Sequence, residues 1–449
     1  MKSKTLKIGV LVLVLILVTG GILLAHNQNH KINMSGFDKY ADYIFYRGDY
    51  NPKLKDNKYS GALANTYSKL TNDKKLKVVY FGGSVTAGSG ASDGKYCWRS
   101  MIGEWLINNF PKAEITNCNK ALGETGTYLG CYRVKKAVIE EKPDLLFIEY
   151  SINDFYDKAS FERASMQFET IVRKVREELP ECDIVTILVT DVYGAKSARN
   201  PDPEAALHIQ ARAHEFISRE YKISTIHVGR ALVNEFLSQE WNGERDDEWA
   251  IYMKDIVHPT DEGYKAYYQV IEEFMSNTLL CGNYGKCGIQ KQKLPSLQSG
   301  NLLDGDLTFI DPDPDAKNTS ITYPEEYSEF FTFLPENVGI VRGDNPEYIG
   351  VMKIAQSPDA YIEVEFSGTE LIMLAQGIGK TNQYEVSIDG DEWKIKNYAG
   401  KNPIVIADEL QSGKHTARIK TSLSTDVTVS GFYSSDSTKA MVQLDIEEF

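Results

Sequence analysis

Two positions far apart in the chain, Ser84 and His258, carry side chains suited to reacting together. In Asp255-Ile256-Val257-His258-Pro259 a carboxylate precedes an imidazole by three positions. That spacing lets both groups lie on one side of a turn, the carboxylate holding one ring nitrogen and leaving the other to take a proton from a hydroxyl. His26, His30, His208, His214, His227 and His415 have no Asp or Glu three residues before them, which makes His258 the candidate base. By itself the pattern also describes a loop histidine capping a helix that begins near Asp261. The hydroxyl it would serve is that of Ser84, and the chemistry would be acyl transfer through a serine ester.

The elements around these residues must bring them together. Ser84 ends the stretch Lys77 to Gly88, KVVYFGGSVTAG, in which Val78-Val79-Tyr80-Phe81 reads as a strand covered on both faces. Gly82 and Gly83 then allow a tight turn. In an open α/β sheet, functional groups collect beyond the carboxyl ends of the strands, which is where this serine falls. Acyl transfer also needs donors fixed around an oxyanion: the backbone N–H of Ser84, one near Gly123 and the side-chain amide of Asn153. Asn153 follows the apolar run Leu145-Leu146-Phe147-Ile148, at a second strand end. Asn153-Asp154 alone would equally describe an Asx turn, and Asp154 is expected to organise the loop rather than react.

Four blocks in this order resemble the SGNH (GDSL-like) hydrolase family. They are Phe81 to Thr86, Asn119 to Thr127, Tyr150 to Asp154, and Asp255 to His258. Gly83 stands where many members have Asp, and Ser151 replaces a common glycine. Glu124 leaves the second block open by one residue: Gly123 is the expected oxyanion donor, and the Glu124 N–H is the alternative. The resemblance spans roughly Lys77 to Leu280. It implies Ser84, His258 and Asp255 as catalytic residues and Ser84, Gly123 and Asn153 as the oxyanion hole; no CxxC or Cys/His grouping suggests a metal, and no other cofactor is expected.

Alternation of element types agrees with such a fold. Trp98, Met101, Ile102, Trp105 and Leu106 recur at helical spacing before Pro111, and Tyr132 to Glu141 reads as a second helix. Phe168, Ile171, Val172, Val175 and Leu179 mark a longer helix, Asp183 to Thr190 a buried strand, Ala205 to Tyr221 a helix, Ile223 to Val228 an extended segment, and Glu262 to Met275 a final helix. The expected architecture is a three-layer α/β/α, flavodoxin-like domain with a mostly parallel sheet of about five strands. His208 and His214 lie six apart, so they do not share a helix face as an i,i+4 metal pair would.

The opening sets the compartment. Lys2, Lys4 and Lys7 precede an apolar run from Ile8 to Ala25 that is long enough to cross a bilayer and is oriented with its N-terminus in the cytoplasm. Without a clear cleavage site or a lipid-anchor cysteine, residues 1–27 read as an uncleaved signal anchor, with a cleaved secretory signal as the alternative. Tyr40, Tyr43, Tyr46, Tyr50 and Tyr59 make residues 28–76 too aromatic for a free tether. They are expected to pack on the catalytic domain.

The 449 residues suffice for two domains, and 42% hydrophobic with 25% charged residues is ordinary globular composition. A formal charge of −14 argues against a nucleic-acid surface. Six cysteines are compatible with disulfides outside the cytoplasm, with Cys281 and Cys287 the expected pair and Cys97, Cys118, Cys131 and Cys182 as buried thiols.

After the catalytic stretch, 77–284, the Gly- and Pro-punctuated residues 285–300 read as a linker. Residues 301–449 change period: Tyr361 to Phe366 and Tyr384 to Ile388 alternate as strands, and Asp389-Gly390-Asp391 signals a hairpin. This module reads as an antiparallel β-sandwich. From Phe366 through Asp389-Gly390 to Thr416 it resembles the jelly-roll domain of family-two carbohydrate esterases, with the order of the two domains reversed. Trp393, Tyr398 and Tyr433 are either core residues or sugar-stacking rings.

The expectation is a membrane-anchored extracellular serine esterase that removes small O-acyl groups, acetyl above all, from carbohydrate. Carbohydrate O-acetyl transfer and lipid acyl hydrolysis use the same acyl-enzyme. A noncatalytic glycan-binding surface protein is the reading from a different class, and the Ser84, Asn153, Asp255 and His258 set speaks against it.

Overall fold

Val79 and Phe81 point to one face of their strand and Val78 and Tyr80 to the other, and all four are fully or almost fully buried. The cause is a helical layer on each side of the sheet. In the computed structural model the described residues are 39–45, 62–198, 208–280, 291–300, 307–309, 321–334, 351–354, 357, 359–376, 382–398, 404–421 and 427–435. The α/β part runs β1 (Ile44–Phe45), α1 (Ala64–Ser68), β2 (Lys75–Gly82), α2 (Ser84–Ala87), α3 (Trp98–Asn109), β3 (Glu114–Asn119), α4 (Thr127–Val134) and β4 (Leu145–Glu149). It continues with α5 (Ser151–Tyr156), α6 (Phe161–Glu178), β5 (Asp183–Ile187), α7 (Val192–Ala198), α8 (Ile209–Glu220), β6 (Ser224–Ile226), α9 (Val228–Ala231), α10 (Asp247–Tyr252) and α11 (Asp261–Met275).

The six strands are ordered β1-β6-β5-β4-β2-β3. All neighbours are parallel except β1, which pairs antiparallel with β6 through Ile44↔Ile226 and Phe45↔Thr225. Against the expected five strands, the sixth comes from residues 44 and 45, where two residues are too few for any periodicity to mark a strand. Val79, Phe81, Leu146, Ile148 and Ile184 join one core cluster with residues of α4, α6 and α8. On the opposite face Tyr80 stacks on Phe147 and meets Trp98 of α3 edge-on. The helix expected over Tyr132 to Glu141 instead begins at Thr127 and gives way to a π-helical turn after Val134.

Segments before Lys77 are part of this structure. The Thr66 N–H and hydroxyl both donate to Asp183 Oδ2, and Asn65 donates to the Glu181 carbonyl. Residues 291–300 have no regular structure, yet Glu169 of α6 accepts from the backbone N–H groups of Gln298 and Ser299. Among the described residues no helix is long and apolar enough to cross a membrane, and the anchor expected over 1–27 lies outside them. The expected Cys281–Cys287 pair also lies outside the described residues. Cys97, Cys118, Cys131 and Cys182 are free and buried, and burial pushes the Cys131 thiol up to about 12.

Beyond residue 300 the chain forms two antiparallel sheets. One has the order β15 (Ile404–Ala407), β12 (Glu370–Gln376), β17 (Val427–Ser435), β10 (Val351–Ile354), β9 (Phe331–Leu334), with β7 (Leu307–Phe309) also pairing β17. The other runs β14 (Lys394–Tyr398), β13 (Asn382–Ile388), β16 (Gly413–Thr421), β11 (Ile362–Gly368), β8 (Ile321–Thr322). Strand alternation gives β12 two partners. Leu371 and Met373 enter the sandwich core, while Ile372 between them joins the core cluster of the α/β part. Arg163 of α6 reaches Glu370 at 2.8 Å beside it. Trp393 is 38% exposed, with Lys420 over its ring, and is not a core residue. The side chains of Tyr398 and Tyr433 lie outside what the structure describes.

Candidate active site

β2 and β4 are adjacent and parallel, so their carboxyl ends put Ser84 and Asn153 on the same rim of the sheet. Gly83 is the extended residue before α2, and Ser84 is its first helical residue. The N–H of Ser84 therefore has no intrahelical acceptor and is available to the cleft. Asn153 lies in the first turn of α5. Its Oδ1 is buried with no hydrogen-bond partner among the described residues, and it abuts Gly83 so closely that a Cβ there would run into it. Gly83 is thus required for a close approach of backbone to side chain. Gly123 also faces the serine: a Cβ built on it would lie 3.7 Å from Ser84 Cβ. The second block is tied to the first by Leu122 N–H donating to the Gly82 carbonyl. Glu124 next to it has a left-handed φ of 62°.

His258 reaches this rim from the loop between α10 and α11. Its Nε2 is 2.9 Å from Ser84 Oγ, and its Nδ1 is 2.7 Å from Asp255 Oδ2. Asp255 Oδ1 accepts from the N–H groups of Val257 and His258, both at 2.8 Å. Burial works to raise the Asp255 carboxyl, but those two amides and the imidazole outweigh it and hold the group below the ordinary carboxylate range. A carboxylate fixed in this way orients the ring, leaving Nε2 to exchange a proton with the hydroxyl.

The loop carrying the pair is itself fixed. Trp249 Nε1 donates to the Asp255 carbonyl, and Val192 N–H of α7 donates to the Ile256 carbonyl. Gly90, at φ 99°, lets the loop after α2 lie against His258 and Pro259, where a Cβ would strike the Pro259 carbonyl. Tyr264 of α11 donates to the carbonyls of Val85 and Ser89.

Asp154 is engaged in holding loops. Its Oδ1 accepts from Thr127 N–H and its Oδ2 from the Thr127 hydroxyl, each at 2.7 Å, and His214 Nε2 lies 2.8 Å from Oδ2. Asp191 similarly accepts from Tyr156 and Gly194 and pairs with His208. These two Asp–His pairs escape a search for carboxylates three residues before a histidine, because the partners are 60 and 17 positions apart. Burial alone marks them as structural candidates in three dimensions. Among the described residues neither pair meets a serine hydroxyl in a hydrogen bond, which separates them from Asp255–His258.

Residues 80–266 match the family of GDSL-like lipases and acylhydrolases, and residues 352–441 match the carbohydrate esterase 2 N-terminal domain. None of the curated proteins matches the chain. Among solved structures it is similar to a two-domain esterase active on acetylated mannans, at 15% identity and a TM-score of 0.66, over 90% of this chain and 100% of that one. The same kind of esterase co-crystallised with mannopentaose gives 15% identity and a TM-score of 0.63, over 84% of this chain and 96% of that one. An acetylxylan esterase from Geobacillus stearothermophilus is 17% identical with a TM-score of 0.37, over 44% of this chain and 94% of that one. The two-domain likeness is one of fold. With the four sequence blocks meeting on one rim of the sheet and the family match spanning them, the α/β domain belongs to the GDSL-like lipase/acylhydrolase family of ester hydrolases and is followed by a sandwich of the carbohydrate esterase 2 type.

Proposed function

We propose that the protein is a serine esterase that removes small O-acyl groups, acetyl in the first place, from extracellular carbohydrate. The observation that carries this reading is the unbroken hydrogen-bonded line from Ser84 Oγ through His258 to Asp255. Ser84 Oγ attacks the ester carbonyl carbon while its proton passes to His258 Nε2. The resulting oxyanion is received by the backbone N–H groups of Ser84 and Gly123 and by Asn153 Nδ2. His258 then returns the proton to the departing sugar oxygen, leaving acetyl on Ser84. Water, deprotonated by His258, attacks that ester, and acetate leaves as Ser84 recovers its proton.

Carbohydrate as substrate is supported by the carbohydrate esterase 2 type module and by the two-domain fold shared with an esterase whose substrates are acetylated mannans. Residues 2–25, three lysines followed by an apolar run, support a single-pass signal anchor that holds both domains outside the cell. The test is acetate release from acetylated mannan, acetylated xylan and a chromogenic acetate ester, with Ser84→Ala beside the parent. Loss of release in Ser84→Ala is expected, and equal rates overturn the assignment. Identifying the product separates hydrolysis, which yields acetate, from transfer, which yields a newly acetylated glycan.

A further inference from the structure

Glu149 is the last residue of β4 and lies beneath the serine turn, 1% exposed. The mechanism above makes no use of it. Its backbone carbonyl accepts from Gly83 N–H at 3.0 Å, and its Oε2 accepts from the Thr86 hydroxyl of α2 at 2.8 Å. Gly82 leaves the space in which Thr86 and the Glu149 carbonyl meet, since a Cβ there would strike both. One residue of β4 thus grips the serine loop at two points, on either side of Ser84. Four residues later the same chain supplies Asn153. Glu149 Oε1 is buried with no hydrogen-bond partner among the described residues.

We propose that Glu149 is a positioning residue of this site, its carboxyl working in the uncharged, proton-bearing form to fix α2 and through it the N–H of Ser84. The inference rests on the proposed role of Ser84.

The surroundings explain why the charged form does not serve. Asp154 of α5 adds negative charge to the neighbourhood, and the Tyr264 and Tyr267 phenols of α11, within its electrostatic reach, are held neutral by burial. Arg99 of α3 donates to the Thr86 and Ala87 carbonyls of the serine loop. Burial pushes the Glu149 carboxyl up to about 8, and the Thr86 hydroxyl with the amides of Thr86 and Gly83 pulls it back only in part. Ionised, Glu149 would be a buried charge without a counterion, beneath the turn that carries the Ser84 N–H. That charge would repel the oxyanion developing at the same turn.

The test compares the pH dependence of kcat for the full chain, Glu149→Gln and Ser84→Ala on a chromogenic acetate ester. Glu149→Gln keeps the shape and cannot ionise. The parent is expected to lose about tenfold in kcat per pH unit above about 8. Glu149→Gln should keep most of the rate near neutrality and should lack the alkaline fall. A residue that only supports the fold would alter thermal stability and leave the pH profile alone. An alkaline fall in Glu149→Gln equal to the parent's, or none in the parent, overturns the proposal. Should Glu149→Gln fail to fold, infrared difference spectra of the parent across the same range decide. A protonated buried carboxyl lost with the alkaline fall supports the proposal, and its absence near neutrality sinks it. If Ser84→Ala retains full activity, the esterase reading itself fails. If Ser84→Ala is inactive while Glu149→Gln titrates like the parent, only the role of Glu149 fails.

Discussion

His258 Nε2 stands 2.9 Å from Ser84 Oγ although 174 positions separate the two residues. The contact joins the end of β2 to the loop before α11, and each side is braced by hydrogen bonds that owe nothing to the imidazole. Replacing either side chain should therefore remove chemistry without removing the fold. Ser84→Ala is expected to lower acetate release by about 10³-fold or more and leave thermal stability within about 0.5 kcal/mol of the parent. Steady-state kinetics and a melting curve on the same preparation check both halves.

Asp255→Asn tests the orienting carboxylate. An amide can present the wrong tautomeric partner to His258 Nδ1, and kcat should fall by about 10² to 10⁴-fold with KM little changed. The stability effect has a defined sign. Asp255 is held below the ordinary carboxylate range in the folded protein. Its contribution is full above that range and disappears as pH falls through the lowered value. The stability gap between parent and variant should accordingly close on acidification, as read from melts in a pH series.

Asn153→Ala removes the proposed side-chain oxyanion donor and should reduce kcat by about 10² to 10³-fold. KM should move far less, because the interaction belongs to the transition state rather than to bound substrate. A change confined to KM would place Asn153 in substrate binding instead.

Gly83→Ala reaches the same amide from the other side. The new Cβ would run into Asn153 Oδ1, and neither α2 nor α5 can retreat without breaking the ties that join them to β2 and β4. A loss of about 1 to 3 kcal/mol in stability is expected. A fall in kcat resembling that of Asn153→Ala should accompany it, measurable by denaturant titration and kinetics.

Glu149 gives a stability signature separate from its effect on rate. Its carboxyl is raised from 4.5 to about 8 in the folded protein, so the folded state holds a proton that the unfolded chain releases. Stability from this group is complete below the unfolded value and is lost as pH rises through that window. The melting temperature of Glu149→Gln relative to the parent should climb between those two values and level off above them. A constant difference across the series would contradict the buried, proton-bearing state.

The expected architecture was legible in the sequence where local pattern and tertiary role coincide. Val78 to Phe81 reads as a doubly covered strand because a strand buried on both faces has no reason to alternate. Asp255 and His258 read as a pair because a three-residue spacing is already a turn. The edge strand at Ile44 and Phe45 left no such trace, since its two hydrogen-bonding residues are chosen by β6 rather than by their own pattern.

The amino-acid sequence by itself determined which residues could react, the order of strands and helices that carries them, and the change to an alternating period beyond residue 300. Those are properties of short stretches, governed by side-chain type and backbone periodicity. Only the tertiary structure decided that Glu149 lies under Thr86, that Asp191 joins Tyr156 to His208, and that Ile372 leaves the sandwich for the core of the α/β part. Each of these depends on what parallel strand order and two-sided burial bring together from distant positions, where the cost of burying a carboxyl or an apolar side chain is set by neighbours that local sequence does not name.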